Sequence, residues 1–334
     1  MRILVTGGAG FIGSNFIHYW AKFHPEDQII NLDVLTYAGH LESLKDLENN
    51  PNYKFIKGDI TDAGMVRQAM DGVDIVVHFA AESHVDRSVI DPLRFVKTNV
   101  LGTAVLLNAA MEAKIKRFHH ISSDEVYGQL GPNDSPFTEN IPYSPRTPYS
   151  ASKAGSDHLV RAYFETYGLP ITITNCANNY GPFHDPEKLI PRFITNLLAG
   201  EKVPLMGKGE NIREWLHVED HAEAIDFVLQ KGEIGETYLI EGEEKTNMEI
   251  TQVLLQILSM DESMIEFVED RLGHDFRYAI NGEKLKTLGW VRKHSLNEDL
   301  PKVVEWFKEN EWWWKPLKEG RPNIDRVAQK SYGR

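Results

Sequence analysis

The chain has 334 residues, 42% hydrophobic and 25% charged, a composition that fits a globular protein of about two domains. Its 36 basic and 49 acidic residues give a net charge of -13, which argues against a nucleic-acid-binding surface, and its one cysteine, Cys176, excludes an intrachain disulfide. No apolar run approaches the ~20 residues of a membrane span, and MRILVTGGAGFIGS lacks the basic start and long apolar stretch of a signal peptide, so a cytoplasmic location is expected.

The first half alternates short apolar runs with helical spacing. Strands are expected at 3–5, 28–32, 53–57, 75–79, 118–122 and 170–174, and helices at 10–23, 63–70 and 93–113. This rhythm predicts βαβ units, hence an α/β fold with a doubly wound parallel sheet of Rossmann type. Residues 131–148 are proline-rich and aperiodic, a surface excursion before a helix starting near Pro148. After Cys176 the rhythm breaks at Pro182, Pro186, Pro191 and Pro204. A helix at 218–229, a strand at 236–240, a helix near 300–309 and the triplet Trp312, Trp313, Trp314 follow, the triplet reading as packing. The expected division is a dinucleotide-binding domain over 1–176 that also takes in about 212–240. A smaller mixed α/β lobe over 177–211 and 241–320 follows, with a tail at 321–334.

Thr6-Gly7-Gly8-Ala9-Gly10-Phe11-Ile12-Gly13 links the first strand to the first helix. Gly7 permits the tight turn, Gly10 lets backbone approach a pyrophosphate, and Gly13 lets helix and strand pack; the helix N-terminus offers free N–H groups. Asp33 follows Gly13 by about 20 residues at the end of the second strand, placed to bond an adenosine ribose and to repel a 2′-phosphate. NAD is therefore expected over NADP. Phe11, Ile12 and Thr36 flank this site. Asp59 and Ile60 follow the third strand and fit an adenine contact, Asp59 being equally suited to cap a helix. Ala80, Ala81 and Ser83 follow the fourth and leave room for a dinucleotide; Asn99 and Ser122 complete the expected cofactor set.

Tyr149-Ser150-Ala151-Ser152-Lys153 opens a predicted helix, and its spacing of four puts tyrosine and lysine on one face. A nearby ammonium, with the positive nicotinamide ring, favours the phenolate, which then takes a proton from a substrate hydroxyl. Further on the same site, Ser122-Ser123-Asp124-Glu125 sets two adjacent carboxyls at a strand end, suited to removing a proton from one carbon and a hydroxyl from the next.

The glycine motif plus Tyr149 and Lys153 resembles the extended short-chain dehydrogenase/reductases, over 1 to about 314. With Ser123-Asp124-Glu125 and Ala81-Glu82-Ser83-His84-Val85-Asp86-Arg87-Ser88, the chain is similar to the dTDP-glucose 4,6-dehydratase family within them. That resemblance implies oxidation at glucose C4 by NAD, elimination of water across C5 and C6, and hydride return to C6. Tyr149 and Lys153 would serve the oxidation, with Ser123 on the sugar, Glu125 as base and Asp124 as acid. The product, a 4-keto-6-deoxy sugar, would feed deoxysugar synthesis, for which rhamnose is a common end point.

The resemblance also implies a nucleotide-sugar site from His84, Asn178, Lys188, Leu189, Arg192, Pro204, Met206, Arg213, Asn247, Arg271 and His274, with Arg213 and Arg271 on the diphosphate and Asn178 touching cofactor as well. Asn175, Met206 and Leu272 stand where the family often has arginine, an aromatic residue and proline; Met206 weakens the preference for thymine. It further implies a homodimer through a four-helix bundle of 93–113 and 148–166, with Val100, Leu106 and Ala162 as contacts. Other readings are a UDP- or GDP-sugar dehydratase, epimerase or decarboxylase of the same fold, and a non-catalytic NAD-binding regulator. His119 and His120 read as core strand. His217 and His221 have helical ligand spacing without a third ligand, so no metal is expected.

Overall fold

The computed structural model describes residues 1–270 and 274–319. Its strands, in chain order, are β1 (Arg2–Thr6), β2 (Gln28–Asp33), β3 (Tyr53–Lys57), β4 (Ile75–His78), β5 (Arg117–Ser123), β6 (Ile171–Cys176), β7 (Asn178–Tyr180), β8 (Val203–Met206), β9 (Ile212–His217), β10 (Thr237–Ile240), β11 (Glu243–Thr246) and β12 (Ile265–Val268). Seven of them make one parallel sheet ordered β10-β6-β5-β4-β1-β2-β3. The inner strands are apolar on both faces because helices cover both. Leu4, Val76, Phe118 and Ile171 meet Leu106, Leu107 and Val160 on one side, while Ile3, Val5 and Val77 meet Phe16, Trp20 and Ile225 on the other. Each large side chain so buried contributes roughly 1.5–3 kcal/mol.

The chain leaves β1 toward β2 and β3, then returns to β4 and continues the opposite way. That reversal opens a crevice beyond the strand ends between β1 and β4, where ligands of open α/β sheets bind. The remaining strands form a three-stranded sheet, β11-β9-β7, and a pair, β12-β8. They frame a second core containing Phe193, Trp215, Leu254, Phe307, Trp313 and Trp314. Trp313 Nε1 donates to Ser43 Oγ at 3.0 Å and so fastens this lobe to the sheet domain, whereas Trp312 is exposed.

Two boundaries differ from expectation. The stretch 212–240 divides: β10 extends the main sheet beside β6 and helix Val218–Lys231 packs on helix Phe11–Phe23, but β9 pairs with β7 and β11 in the small sheet. The helix expected at 93–113 is also interrupted. Helix Pro92–Phe95 runs into a π-helical stretch, Val96–Gly102, before helix Thr103–Ala113. Thr103 Oγ1 donates back to the Asn99 carbonyl at 2.6 Å, and a Cβ at Gly102 would lie 2.5 Å from Ile60 Cδ1. Side-chain bonding to the ladder and close packing are both settings for such a bulge.

The excursion before Pro148 folds against the smaller lobe, bridging Leu130 to Arg277 and Phe137 to Ile280. Thr147 and Ser150 then form a reciprocal cap with proline at the first turn, starting helix Pro148–Tyr167. Among the described residues no helix is long and apolar enough to cross a membrane. The expected tail, Arg271 and Leu272 lie outside the described residues.

Candidate active site

The crevice is a cleft of about 480 Å³. Gly7, Gly10, Phe11, Ile12, Gly13, Asp33, Thr36, Asp59, Ile60, Ala80, Ala81, Ser83, Ser122, Tyr149, Lys153 and Asn178 all line it. The glycines have separate steric reasons. Gly7 has φ +71°, and a Cβ there would lie 2.6 Å from the Ala80 backbone. At Gly13 it would lie 2.4 Å from the Gly7 carbonyl oxygen, whereas at Gly10 the nearest atom is 3.3 Å away. Gly10 caps the first helix without any side-chain acceptor, so the first-turn N–H groups face the cleft as an anion cradle. Asp33 accepts from Ala9 N at 3.0 Å and Leu35 N at 2.8 Å, which fixes its carboxylate at the cleft wall. Burial raises its pKa against the pull of those two bonds. Asp59 turns the chain by accepting from Thr61 N at 2.8 Å; the helix cap is Asp62.

Asn99 does not line this cleft. Its side chain is buried, accepts from Glu82 N at 2.8 Å and donates to the Glu82 carbonyl at 3.0 Å and Ser152 Oγ at 2.8 Å. It ties the strand-end loop to the Tyr149 helix. The neighbouring π-helical stretch instead brings Lys97 and Thr98 to the wall.

At the reacting centre β5 ends in Ser123, whose hydroxyl accepts from Glu125 N and starts a short 3-10 turn over Asp124–Tyr127. Asp124 lines the cleft while only 2% exposed, and burial, then the Glu125 charge, push its carboxyl up to about 7. Glu125 is half-buried and, unlike Ser123 and Asp124, is not among the residues lining the cleft. Its charge raises the pKa values of Asp124, Tyr149 and Tyr278. Lys153 reaches the Ile121 carbonyl at 2.7 Å. The expected lowering of Tyr149 combines Lys153 with the nicotinamide ring, and the protein groups alone act the other way. Burial, then Glu125, hold the phenol well above its ordinary value, and a Ser123 hydrogen bond is the group that lowers it.

A second cavity of about 170 Å³ adjoins the cleft, sharing His84, Asn178, Glu187, Lys188, Leu189 and Trp215 with it. Its other walls include Arg192, Pro204, Met206, Arg213, Asn247 and His274. Arg213 is held by the carbonyls of Ile212, Asp275 and Phe276, and its guanidinium lies 4.4 Å from the Tyr278 ring centroid. Lys188 donates to the Ser83 carbonyl at 3.2 Å, and His274 bonds Asp270 at 2.6 Å. The two domains meet across this mouth, where Arg87 grips Glu187 with Nη2 at 2.8 and 3.1 Å and stacks 3.8 Å over Tyr37.

Several groups at the centre were not singled out from sequence. Asp157 lies one turn beyond Lys153 on the same helix, a spacing that extends the Tyr149–Lys153 face. Glu214, beside Arg213, is buried and pushed up to about 9 by burial and then Asp124; no periodic signal marks it. Among the described residues His217, Glu219 and His294 bring ligand atoms within 4.8 Å of one another. The two imidazoles stack at 4.2 Å and 18°, so their lone pairs run side by side and do not converge on an ion. His221 instead bonds Asn179 at 2.9 Å.

A glycine cradle and acid pair on a doubly wound sheet, opening into a second cavity, define a Rossmann-type enzyme of the extended short-chain dehydrogenase/reductase kind. The chain belongs to the GDP-mannose 4,6 dehydratase family, whose model matches residues 4–303. It is 50% identical over 323 residues to dTDP-glucose 4,6-dehydratase of Mycobacterium tuberculosis, covering 96% of this chain and 97% of that one. A dTDP-glucose 4,6-dehydratase from Streptomyces venezuelae, solved with NAD bound, superposes with a TM-score of 0.92 at 49% identity, covering 95% and 100%. A UDP-glucose 4-epimerase from Thermotoga maritima, solved with UDP-glucose, gives 0.86 at 31% identity, covering 93% and 99%.

Proposed function

We propose that the chain is an NAD-dependent dTDP-glucose 4,6-dehydratase that forms dTDP-4-keto-6-deoxyglucose and water. The observation that carries this reading is the buried Asp124, with its carboxyl pushed up to about 7, in the same cleft as Tyr149 and Lys153 and next in the chain to Glu125. An epimerase needs no such acid pair. The 46–50% identities to dehydratases point the same way as the chemistry.

NAD, when bound, supplies a hydride acceptor at C4 and later returns the hydride to C6. Gly7, Gly10 and Gly13 shape its phosphate seat and Asp33 meets the ribose. Ser123 orients the sugar, and Tyr149 takes the proton of the 4-hydroxyl while Lys153 holds positive charge nearby. The new ketone acidifies C5, and Glu125, turning toward the sugar, removes that proton. Asp124, about half protonated at neutral pH, gives its proton to the departing C6 oxygen. Glu125 then returns a proton to C5. The second cavity takes the nucleoside diphosphate, with Arg192 and Arg213 as cations and Pro204, Met206, Asn247 and His274 around the nucleoside.

We also propose a cytoplasmic homodimer. Val89, Ile90, Leu93, Val96 and Leu101 are exposed over the successive helical segments of 85–102, Leu93 to 78%. Leu106 cannot take part, because it is fully buried against Phe118 and Leu107. Val100 packs inward on Gly155, where a Cβ would lie 3.3 Å from Val100 Cγ2, and Ala162 is exposed. The deciding experiment incubates the protein with dTDP-glucose, UDP-glucose and GDP-mannose separately and weighs the products. Loss of one water from dTDP-glucose supports the reading; an isomer of unchanged mass refutes it.

A further inference from the structure

Behind the Tyr149–Lys153 face lies a polar cluster that the reaction scheme leaves unused. Asp157 is fully buried, and four side chains bond it. Ser122 Oγ donates at 2.8 Å, Tyr143 OH at 2.9 Å, Asn175 Nδ2 at 3.4 Å, and His120 Nε2 lies 3.1 Å away. Asn175 Nδ2 also donates to the Ser123 carbonyl at 3.1 Å. Two of these links therefore run from Asp157 to the end of β5, one residue before Asp124.

A buried carboxylate with this many donors stays charged. Burial would raise its pKa, but the bond from His120, the Lys153 charge and the bond from Ser122 outweigh it and hold it below the usual carboxylate range. The facing titratable groups are neutral around pH 7. His120 is pushed down to about 4 by burial and then Lys153, and His78 on β4 is pushed well down by burial. The Cys176 thiol on β6 is pushed up to about 12 by burial and then Asp124, and burial holds the Tyr127 and Tyr143 phenols up as well. Arg161, on the same helix as Asp157, bonds Tyr143 OH and Thr237 Oγ1. Lys153 is 5% exposed; burial lowers its pKa, and Asp157 leads the groups that raise it.

We infer that Asp157 is a positioning residue for the reaction: its buried carboxylate, one helical turn beyond Lys153 on the same helix and not in direct contact with it, balances the Lys153 ammonium through space, and it anchors the strand end that carries Ser123 and Asp124. Without that anion Lys153 sits in a low-dielectric site with a neutral carbonyl as its bonded partner, and it releases its proton at lower pH. Activity that needs the ammonium is then lost at lower pH too. The inference rests on the dehydratase reading for its effect on turnover, but not for the titration of Lys153.

The test therefore has two arms on NAD-loaded protein. Lysine is labelled with carbon-13 at Cε, and the Lys153 resonance is assigned by its absence in Lys153→Arg. In Asp157→Asn the Lys153 midpoint is expected to fall by about one unit or more. With dTDP-glucose, the alkaline limb of the rate profile moves down with it; kcat falls about ten-fold or more, and KM changes less than about three-fold. Tyr143→Phe removes a hydrogen bond but no charge and leaves both midpoint and limb in place. An unmoved midpoint in Asp157→Asn, an equal shift in Tyr143→Phe, or an Asp157→Asn chain that does not fold overturns the proposal in favour of a purely structural role. If the parent chain leaves dTDP-glucose unchanged, the substrate reading fails while the lysine titration still decides this one.

Discussion

Replacing Asp124 with asparagine should cost the enzyme its turnover and yet favour the folded state increasingly as pH rises. The Asp124 carboxyl is 2% exposed and lifted to about 7 by burial and the Glu125 charge, against about 3.9 in an unfolded chain. A folded-state pKa raised above the unfolded value means that the folded chain holds its proton longer. Stability is then fully present below about pH 4 and lost as pH climbs toward 7. Three units at 1.36 kcal/mol each put the full loss at about 4 kcal/mol, of which about 2–3 kcal/mol accrues between pH 5 and pH 8. Asparagine has no such dependence. Its amide keeps the contact that Ser123 Oγ makes to Oδ1 at 3.2 Å, but Oδ2 is buried without a hydrogen-bond partner. An amide N–H there adds a constant penalty of about 1–3 kcal/mol. The diagnostic quantity is therefore the change with pH and not the offset. Urea unfolding of both proteins at pH 5, 6, 7 and 8, with saturating NAD, measures it. A stability difference that stays flat within about 0.5 kcal/mol across that range, or that shifts toward the aspartate form as pH rises, refutes the burial argument.

Glu125→Gln should stop elimination but leave C4 oxidation, so reduced cofactor absorbance builds up on adding dTDP-glucose while dehydrated product falls about 10²–10⁴-fold. Tyr149→Phe should block the earlier step by a similar factor, giving neither absorbance nor product, with NAD content unchanged. Gly7→Ala puts a methyl 2.6 Å from the Ala80 backbone at φ +71°, and should cost about 1–3 kcal/mol in thermal or urea unfolding and reduce NAD content. Charging the exposed helical segments of 85–102 with Leu93→Glu and Val96→Glu should yield monomers by light scattering if these segments pair two copies; an unchanged mass would place the interface elsewhere.

What could be read from the sequence was periodic or punctuated. Apolar runs such as Ile75, Val76 and Val77 predict a strand buried on both faces, and Gly7, Gly10 and Gly13 predict a turn against a helix, because one local rule governs each. The π-helical stretch Val96–Gly102 was not legible, since its cause is a Thr103 hydroxyl bonding back to Asn99 together with Ile60 pressing on Gly102. The position of β9 was missed for a related reason. The stretch 212–240 reads whole as part of the dinucleotide-binding domain, but the partners of β9, which are β7 and β11, are set by where the chain crosses from one core to the other.

The tyrosine shows most clearly why spacing alone underdetermines chemistry. A spacing of four from Tyr149 to Lys153 puts both on one helix face, and proximity to an ammonium would lower the phenol. The fold spends the lysine's reach on the Ile121 carbonyl and sets Glu125 against the phenol, so the protein groups by themselves hold Tyr149 protonated. On the proposed mechanism, proton abstraction at the 4-hydroxyl then depends on what bound NAD and substrate add to the cleft. This couples the two halves of the site. A tyrosine that ionises only in the loaded cleft does not act as a base without its cofactor, and an aspartate held near neutrality keeps a proton ready for the step that follows.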